Sequence, residues 1–252
     1  MASHFDELRV RLIQVREEPE IEQEEQESFR ESAGLRPDQL LSTNVLRDPV
    51  GPHLLEGIDA VLIGGAGAFS VTRDYPWMPP LIDLLHQIYT HHIPLFGSCW
   101  GHQLIGRAYG GKVIYDPEKT EIGCFEVYLT EAGKTDPLLK HMPPAFLTLM
   151  GHQDRIAALP REAIELGYSA NAPYQIIRMK DRPIYGTQFH SELNAACERE
   201  RITTYREHYP HLLDDKRFLA TLEAIEDTPL VRDLIHRFLN LYAVHPPVDG
   251  HA

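Results

Sequence analysis

Three side chains that can perform acyl-transfer chemistry lie where predicted strands end: Cys99, His190 and Glu192. A thiolate can attack a carbonyl carbon, and an imidazole can take up the thiol proton and pass it to the leaving group. A carboxylate two residues beyond the imidazole projects to the same side of an extended segment, where it can hold the second ring nitrogen. Cys99, His190 and Glu192 are therefore a candidate catalytic triad.

Cys99 lies at a predicted corner between a strand and a helix. The apolar run Ile93–Phe96 is typical of a buried strand, and the spacing of apolar residues from Trp100 onward is helical. Gly97 and Gly101 flank the cysteine, as in a nucleophile elbow, where a strained turn exposes one side chain and glycines allow neighbouring backbone to approach. Backbone N–H groups at a helix N-terminus favour the thiolate. The usual alternative is a buried structural cysteine, and the flanking glycines favour the nucleophile.

Attack on a carbonyl creates an oxyanion that needs two hydrogen-bond donors. The N–H of Trp100, the residue after the candidate nucleophile, is the first predicted donor. The predicted strand Ile58–Ile63 leads directly into the turn Gly64–Ser70, whose glycines let backbone N–H groups approach a ligand closely. The second predicted donor is the N–H of Gly65 or Ala66. The alternative is a simple tight turn, because the run matches neither a P-loop nor a dinucleotide-binding spacing.

The order of the predicted elements indicates an α/β fold with an open, mostly parallel, twisted sheet, helices on both faces and a small antiparallel addition. The predicted strands are Leu8–Val15, Leu40–Leu46, Ile58–Ile63, Ile93–Phe96, Lys112–Tyr115, Gly123–Leu129, Phe146–Met150, Ala163–Ser169, Tyr174–Met179 and Pro183–Phe189. In such a sheet, reacting groups collect outside the carboxyl ends of neighbouring parallel strands. We therefore expect the glycine turn, the cysteine corner and the His-x-Glu segment to meet at one edge.

The helical predictions concern the two ends of the chain. The glutamate-rich stretch Glu17–Glu31 predicts a solvated helix that ends at Gly34. Three helices are predicted near the C-terminus, over Ala195–Tyr209, Lys216–Ile225 and Pro229–Tyr242, the last with Thr228 as its N-cap. We predict one domain over residues 1–193 and a helical extension over residues 194–252 that packs on it.

The composition excludes several classes of protein. A formal net charge of -13 over 252 residues disfavours non-specific binding to nucleic acid. Three scattered cysteines form neither a disulfide framework nor a zinc pattern, so we expect a reducing, cytoplasmic environment and no metal. No apolar run approaches the roughly 20 residues needed to cross a membrane. The sequence carries neither a P-loop nor a dinucleotide-binding motif, and we expect no cofactor.

Four motifs resemble the signatures of class I (triad-type) glutamine amidotransferase domains. They are GSCWGHQ at Gly97–Gln103, GGAG at Gly64–Gly67, HQD at His152–Asp154 and QFHSE at Gln188–Glu192. Their order and spacing match the family over roughly Leu8 to Leu193. The stretch Glu121–Pro137 resembles the stand-alone subgroup related to the glutaminase part of GMP synthase. The resemblance implies a flavodoxin-like fold.

The resemblance also implies a role for each matching residue. It makes Cys99 the nucleophile, His190 the acid and base, and Glu192 its partner, with the oxyanion hole supplied by Gly65 and Trp100. It implies that Gly67, Gln103 and the backbone at Gln153 and Asp154 hold the amino-acid end of the substrate. Two positions depart from the family pattern: Ser191 replaces a usual proline, and Gln153 stands where glycine is common.

These roles predict hydrolysis of the glutamine side-chain amide through a γ-glutamyl thioester, with ammonia released. The segment after Glu192 carries no nucleotide-binding motif, so the ammonia would pass to a synthetase subunit or the chain would act alone. A second hypothesis keeps the triad and takes a γ-glutamyl peptide, hydrolysed or transferred, in a pocket that is open beyond the amide. A third is a non-catalytic binding module on the same fold, which the intact triad disfavours.

Overall fold

The computed structural model describes residues 4–244. The strands are β1 Val10–Gln14, β2 Leu40–Asn44, β3 Ala60–Ile63, β4 Leu95–Ser98, β5 Lys112–Tyr115, β6 Glu121–Leu129, β7 Ala145–His152, β8 Asp154–Ala158, β9 Ala163–Ser169, β10 Ile176–Met179 and β11 Ile184–Thr187. The helices are α1 Pro19–Ala33, α2 Met78–Thr90, α3 Trp100–Ala108, α4 Glu131–Thr135, α5 Ala195–Thr204, α6 Asp215–Ala224, α7 Pro229–Arg232 and α8 Leu234–Leu239. Short 3₁₀ turns at Arg206–His208 and Pro210–Leu212 follow α5.

One nine-stranded sheet, in the order β2-β1-β3-β4-β11-β10-β9-β6-β7, forms the centre of the molecule. The strands from β2 to β11 in that order pair in parallel. The strands from β10 to β7 continue the sheet in antiparallel pairs. Strands β5 and β8 form a separate antiparallel pair. The predicted α/β fold class is confirmed, and β3, β4 and β11 lie side by side, so their carboxyl ends share one edge.

The two faces of the sheet bury two separate apolar cores, as the alternation along β3 illustrates. Ala60 and Leu62 point into one core, and Val61 and Ile63 point into the other. The first core contains Phe29 of α1 and Phe238 of α8, and the second contains Leu84 of α2 and Leu104 of α3. The sheet is therefore covered by helices on both faces, which fixes the positions of its strand ends.

Helix α1 differs from the solvated helix that its glutamates predict. Its C-terminus is as expected, with Gly34 in the left-handed conformation at φ 69°. However, Glu22 and Glu25 are buried, Glu25 completely. Arg47 forms an ion pair with Glu22 and Arg16 forms one with Glu25. The prediction was wrong for this face because the cationic partners lie outside the helix, where the local glutamate pattern gives no sign of them.

Other differences concern where elements end. Strand β7 continues to His152, two residues beyond the predicted strand Phe146–Met150, and β8 begins at Asp154 in the polar stretch that follows. Helix α5 ends at Thr204, and a 3₁₀ turn at Arg206–His208 occupies the last part of the predicted helix Ala195–Tyr209. The last predicted helix is divided into α7 and α8, and the Thr228 side chain makes no capping hydrogen bond.

The C-terminal helices pack on the same sheet as the rest of the chain. The ring of Phe238 lies 5.5 Å from that of Phe96 in β4 and 5.8 Å from that of Tyr185 in β11. A domain boundary after residue 193 stays a prediction. Residues 245–252 of the predicted extension lie outside the described residues.

Candidate active site

Cys99 occupies a strained corner between β4 and α3. Its φ of 51° and ψ of -100° are unusual for a residue with a side chain. A Cβ atom on Gly97 would lie 2.5 Å from the carbonyl carbon of Gly101, and one on Gly101 would lie 2.5 Å from the carbonyl oxygen of Ile63. Glycine at both positions therefore lets α3 start directly against the sheet. The Cys99 N–H donates to the carbonyl of Thr187 in β11 at 2.8 Å.

Beside this corner, the segment after β11 presents an imidazole and a carboxylate to each other. His190 Nδ1 lies 2.6 Å from Glu192 Oε1, and the second carboxylate oxygen accepts a 2.6 Å hydrogen bond from Ser98 Oγ. The His190 N–H donates to the carbonyl of Leu149 in β7 at 2.9 Å, which anchors the segment to the neighbouring strand. Glu192 is completely buried and His190 is 6% exposed. The side chains are therefore held in a fixed orientation.

The charges of this group are coupled. Burial alone would lower the pKa of His190, but the charges of Glu192 and Cys99, and hydrogen bonds to both, raise that pKa well above its usual 6.5. Burial would raise the pKa of Glu192, but the charge of His190 and hydrogen bonds from His190 and Ser98 lower it to about 2. The structure thus brings Cys99, His190 and Glu192 together and favours a protonated imidazole between two acceptors.

The two N–H groups predicted for an oxyanion hole differ in their environment. Gly65 lies next to the imidazole, since a Cβ atom on it would be 3.4 Å from His190 Cε1. Its N–H, however, donates to the buried carboxylate of Glu25 at 3.2 Å. Within the described residues, the N–H groups of Ala66 and Trp100 make no hydrogen bond, and both residues line the cavity that contains Cys99. Of the two donors that the glycine turn offered, Ala66 is the unengaged one.

Gln103 and Asp154, two residues predicted to hold the substrate, contact each other. The side-chain amide of Gln103 donates to the backbone carbonyl of Asp154 at 2.7 Å and to Gln188 Oε1 at 3.2 Å. The Asp154 carboxylate accepts hydrogen bonds from Ser70 Oγ and the Val71 N–H. Burial raises the pKa of Asp154, although these hydrogen bonds oppose the rise. Gln103 and Asp154 both line the cavity and join α3, β8 and the glycine turn into one wall.

The other two predicted substrate residues, Gly67 and Gln153, contact the segment that directly follows α5. Gly67 has a φ of 55°, and a Cβ atom on it would lie 2.5 Å from the ring of Tyr205. The side-chain amide of Gln153 donates to the carbonyl of His208 at 2.8 Å. Both residues line the cavity. Eight of the nine predicted site residues therefore line a single cavity of about 550 Å³. The exception is Glu192, which is behind His190.

Helix α5 and the following turns add residues to this cavity that were not predicted from the sequence. They are Glu198, Arg201, Ile202, Tyr205, His208 and Tyr209. Arg16, which follows β1 and forms a buried ion pair with Glu25 at 2.7 Å, was not predicted either. No motif marks these residues. The one available signal was the spacing of Glu198, Arg201 and Tyr205, which places three polar side chains on one helical face.

Residues 4–244 contain no cluster of three or more His, Cys, Asp or Glu side chains that could hold a metal ion. Within the same range, no helix combines the length and the apolar character needed to cross a membrane.

Comparison with known proteins identifies a family model that covers more than half of the chain. Residues 42–204 match the family model "Glutamine amidotransferase class-I". The GMP synthase [glutamine-hydrolyzing] of Thermosipho africanus is 37% identical over 143 residues, which are 57% of this chain and 26% of that protein. One subunit of the GMP synthase [glutamine-hydrolyzing] of Methanococcus aeolicus is 33% identical over 102 residues, which are 40% of this chain and 52% of that protein. The chain thus spans about a quarter and about a half of these curated relatives.

Solved structures show the same fold. A glutamine amidotransferase from Thermotoga maritima superposes with a TM-score of 0.70 at 24% identity, covering 95% of this chain and 99% of that one. A glutamine amidotransferase from Methylobacillus flagellatus superposes with a TM-score of 0.66 at 21% identity, covering 92% and 94%. At these identities the likeness concerns the arrangement of strands and helices.

The coupled pair predicts a defined pH dependence of stability. We expect Glu192→Gln to lower the free energy of unfolding by about 1.5 to 3 kcal/mol, because a hydrogen bond between buried charges is lost. The pKa of Glu192 is lowered from 4.5 to about 2. Its contribution to the free energy of unfolding is therefore present above pH 4.5 and is lost as the pH falls toward 2. The contribution of His190, with its pKa raised from 6.5, is present below pH 6.5 and is lost as the pH rises through the folded-state value.

The difference between wild type and Glu192→Gln should therefore be largest between pH 4.5 and 6.5, measured by urea unfolding at several pH values. Glu200→Gln, an exposed change on α5, is the control and should shift stability by less than about 0.5 kcal/mol. A difference between the two proteins that is as large well below pH 4.5 and well above pH 6.5 as it is between these values would contradict the coupling.

Proposed function

Because the chain belongs to the class-I glutamine amidotransferase family, we propose that it hydrolyses the side-chain amide of glutamine through a γ-glutamyl thioester on Cys99. One observation carries the proposal. Cys99, at a strained corner, interacts with a His190 ring that Glu192 holds at 2.6 Å, and the sulfur and the ring both line the same cavity. This is the relation between nucleophile, base and orienting carboxylate that acyl transfer needs.

In the proposed first step, the Cys99 thiolate attacks the γ-carbonyl carbon and forms the sulfur–carbon bond. The oxyanion accepts hydrogen bonds from the N–H groups of Trp100 and Ala66. The N–H of Gly65, the donor that the family resemblance implied, is already bonded to Glu25. His190 gives its proton to the amide nitrogen, the carbon–nitrogen bond breaks, and ammonia leaves. The raised pKa of His190 supports this role, because the imidazole is protonated before the leaving group needs the proton.

In the proposed second step, His190 acts as the base. It takes a proton from water, the resulting hydroxide attacks the thioester, and the carbon–sulfur bond breaks to give glutamate and the Cys99 thiolate. Glu192 stays ionised throughout and stabilises the imidazolium, which agrees with its lowered pKa. No group other than water is consumed in this step.

We assign the amino-acid end of the substrate to Gly67, Gln103 and the backbone at Gln153 and Asp154. All four residues line the cavity that contains Cys99, which supports the assignment. Gln103 is 3% exposed and is already bonded to Asp154, so the two form a rigid wall that a ligand would meet without rearrangement.

The size of the cavity favours a second candidate, hydrolysis or transfer of γ-glutamyl peptides. Its volume of about 550 Å³ lies within the roughly 300 to 1,000 Å³ of sites that hold drug-sized molecules. That is more space than a free amino acid fills. The segment that directly follows α5 lines part of this cavity through Tyr205, His208 and Tyr209.

For the ammonia, we propose that the acceptor is a separate synthetase subunit. The Methanococcus aeolicus relative supports this, because its name makes that protein one subunit of a glutamine-hydrolysing GMP synthase. The net charge of -13 gives no support for nucleic acid as a partner.

We expect Cys99→Ala to reduce ammonia release from glutamine by at least about 10⁴-fold, since removal of a triad member has effects of this size. A chloroketone analogue of glutamine should label wild type and spare the variant, as read by intact-protein mass spectrometry. Cys124→Ser, at a half-buried cysteine that does not line the cavity, should retain both activity and labelling. Labelling that persists in Cys99→Ala would show that another residue is the nucleophile.

Comparison of kcat/KM for glutamine and for a series of γ-glutamyl dipeptides separates the two substrate classes. We expect the glutamine value to be at least about tenfold higher, which corresponds to about 1.4 kcal/mol of additional transition-state stabilisation. Robust dipeptide cleavage with no turnover of free glutamine would reverse the assignment. It would leave the roles of Cys99 and His190 unchanged.

The acceptor proposal predicts direct ammonia transfer. With ¹⁵N-amide glutamine and an excess of unlabelled ammonium in solution, the aminated product of the co-purified synthetase should carry predominantly ¹⁵N. Cys99→Ala is the matched control and should give unlabelled product from the added ammonium. Equal isotope content in product and solution would show that the two proteins do not transfer ammonia between them.

A further inference from the structure

Glu198 is a buried carboxylate in the cavity that the proposed mechanism does not use. It lies in α5 and is 1% exposed, and among the residues that the structure describes its Oε1 atom has no hydrogen-bond partner. It forms no salt bridge within residues 4–244. A buried carboxylate oxygen without a donor is costly, so its presence at a cavity wall points to a donor that arrives with a ligand.

The charges around Glu198 define what that donor must be. Two guanidinium groups line the same wall: Arg16 pairs with Glu25 at 2.7 Å, and Arg201 pairs with Glu24 at 2.6 Å. Three carboxylates therefore face two guanidinium groups, and Glu198 is the carboxylate among them that forms no ion pair within residues 4–244. Burial raises the pKa of Glu198, and the nearby Glu192 and Glu24 charges add to the effect against those of His190 and Arg201. The wall is short of one positive charge.

Gly151 connects Glu198 to the reacting atoms. The Gly151 carbonyl lies 3.8 Å from Cys99 Sγ. A Cβ atom on the same residue would lie 3.8 Å from Glu198 Oε1 and 3.6 Å from the Tyr209 hydroxyl. Tyr209 in turn donates to the Gly151 carbonyl at 3.0 Å. Glu198 and the Cys99 sulfur are thus both neighbours of Gly151. The charge of Glu198 also acts on His190, the proposed proton donor.

We propose that Glu198 accepts a hydrogen bond from the leaving amine of the substrate and stabilises the positive charge that develops on its nitrogen. The inference rests on the proposed function and extends it to the leaving-group side of the site. It predicts that loss of the Glu198 carboxylate slows the cleavage of amides of ammonia and of basic alkylamines more than the cleavage of amides of weakly basic amines.

The chemistry balances with the groups already named. After attack by Cys99, the nitrogen of the tetrahedral intermediate takes the proton from His190 Nε2 and becomes an ammonium group. The carbon–nitrogen bond then breaks, the carbonyl re-forms, and the amine leaves with its N–H groups directed to Glu198 Oε1. A carboxylate near this nitrogen favours the intermediate more than the neutral amide, which is what raises a rate.

The position of Glu198 favours the leaving amine over the α-ammonium group of the glutamyl part. The imidazole that protonates the leaving nitrogen is a neighbour of Glu198, whereas Gln103 and Asp154, proposed for the amino-acid end, form the wall built by α3 and β8. A substrate that spans both walls places its leaving nitrogen toward Glu198 and its α-ammonium group toward Gln103 and Asp154.

The test compares wild type, Glu198→Gln and Glu200→Gln on four substrates. They are glutamine, γ-glutamyl methylamide, γ-glutamyl 4-nitroanilide and 4-carbamoylbutanoate, which lacks the α-amino group. We expect Glu198→Gln to lower kcat/KM by roughly 10- to 100-fold on glutamine and the methylamide. The loss on the 4-nitroanilide should be less than about threefold, because its leaving nitrogen is weakly basic. Glu200 is exposed on the same helix, so Glu200→Gln should match wild type on all four.

Two measurements separate this role from a merely structural one. The chloroketone analogue of glutamine has no leaving amine, so it should label Cys99 at the same rate in wild type and in Glu198→Gln. Glu198→Asp should recover part of the loss on glutamine. Slow labelling of Glu198→Gln would show a damaged pocket and would overturn the assignment.

The remaining outcomes are also decisive. Equal losses on glutamine and on the 4-nitroanilide would overturn a leaving-amine role. A loss that disappears on 4-carbamoylbutanoate would overturn it in favour of the α-ammonium group. If wild type cleaves the methylamide but not glutamine, the proposed function fails. The methylamide and 4-nitroanilide pair then still decides the role of Glu198.

Discussion

The strained backbone at Cys99 is the constraint on which the rest of the structure depends. A non-glycine residue at φ 51° and ψ -100° costs on the order of 1 to 3 kcal/mol and persists only where its surroundings enforce it. Here α3 is pressed against β3 and β4, with glycines at positions 97 and 101 at the contact. The buried Trp100 and Leu104 then anchor the helix in one apolar core. Because Trp100 and Leu104 are buried in this core and the two glycines contact the sheet closely, the start of α3 is fixed and the Cys99 sulfur is directed out of the sheet.

The second constraint is the amount of charge buried behind the cavity. Glu25 and Glu192 have no exposed surface, and Arg16 and Arg201 are 3% and 6% exposed. Such groups are tolerated only when each finds a partner of opposite charge or a set of hydrogen bonds. Ser98, the Gly65 N–H and the two guanidinium groups supply them. The polar interior is consequently rigid, which suits a site that must hold several groups in fixed relation.

Sequence patterns predicted the parallel strands and the corner at Cys99 because those features are local. A short apolar run between breakers identifies β3 or β4, and a two-residue spacing was enough to place His190 beside Glu192. The contribution of α1 and α5 could not be predicted in the same way. Glu25 and Glu198 look like surface residues until the sheet places Arg16 beside one and the cavity beside the other. Tertiary packing decides which residues of other elements lie beside a local motif. The periodicity and spacing of the sequence do not predict these neighbours.

The hydrogen bond from the Gly65 N–H to Glu25 has a consequence for communication within the molecule. The direction of one peptide unit beside the imidazole is set by a carboxylate on α1, a helix whose outer face carries exposed glutamates. A displacement of α1 by about one ångström is enough to break a hydrogen bond of this length. Any molecule that docks on that acidic outer surface and shifts the helix would thereby change the number of donors facing the sulfur, without touching the cavity itself.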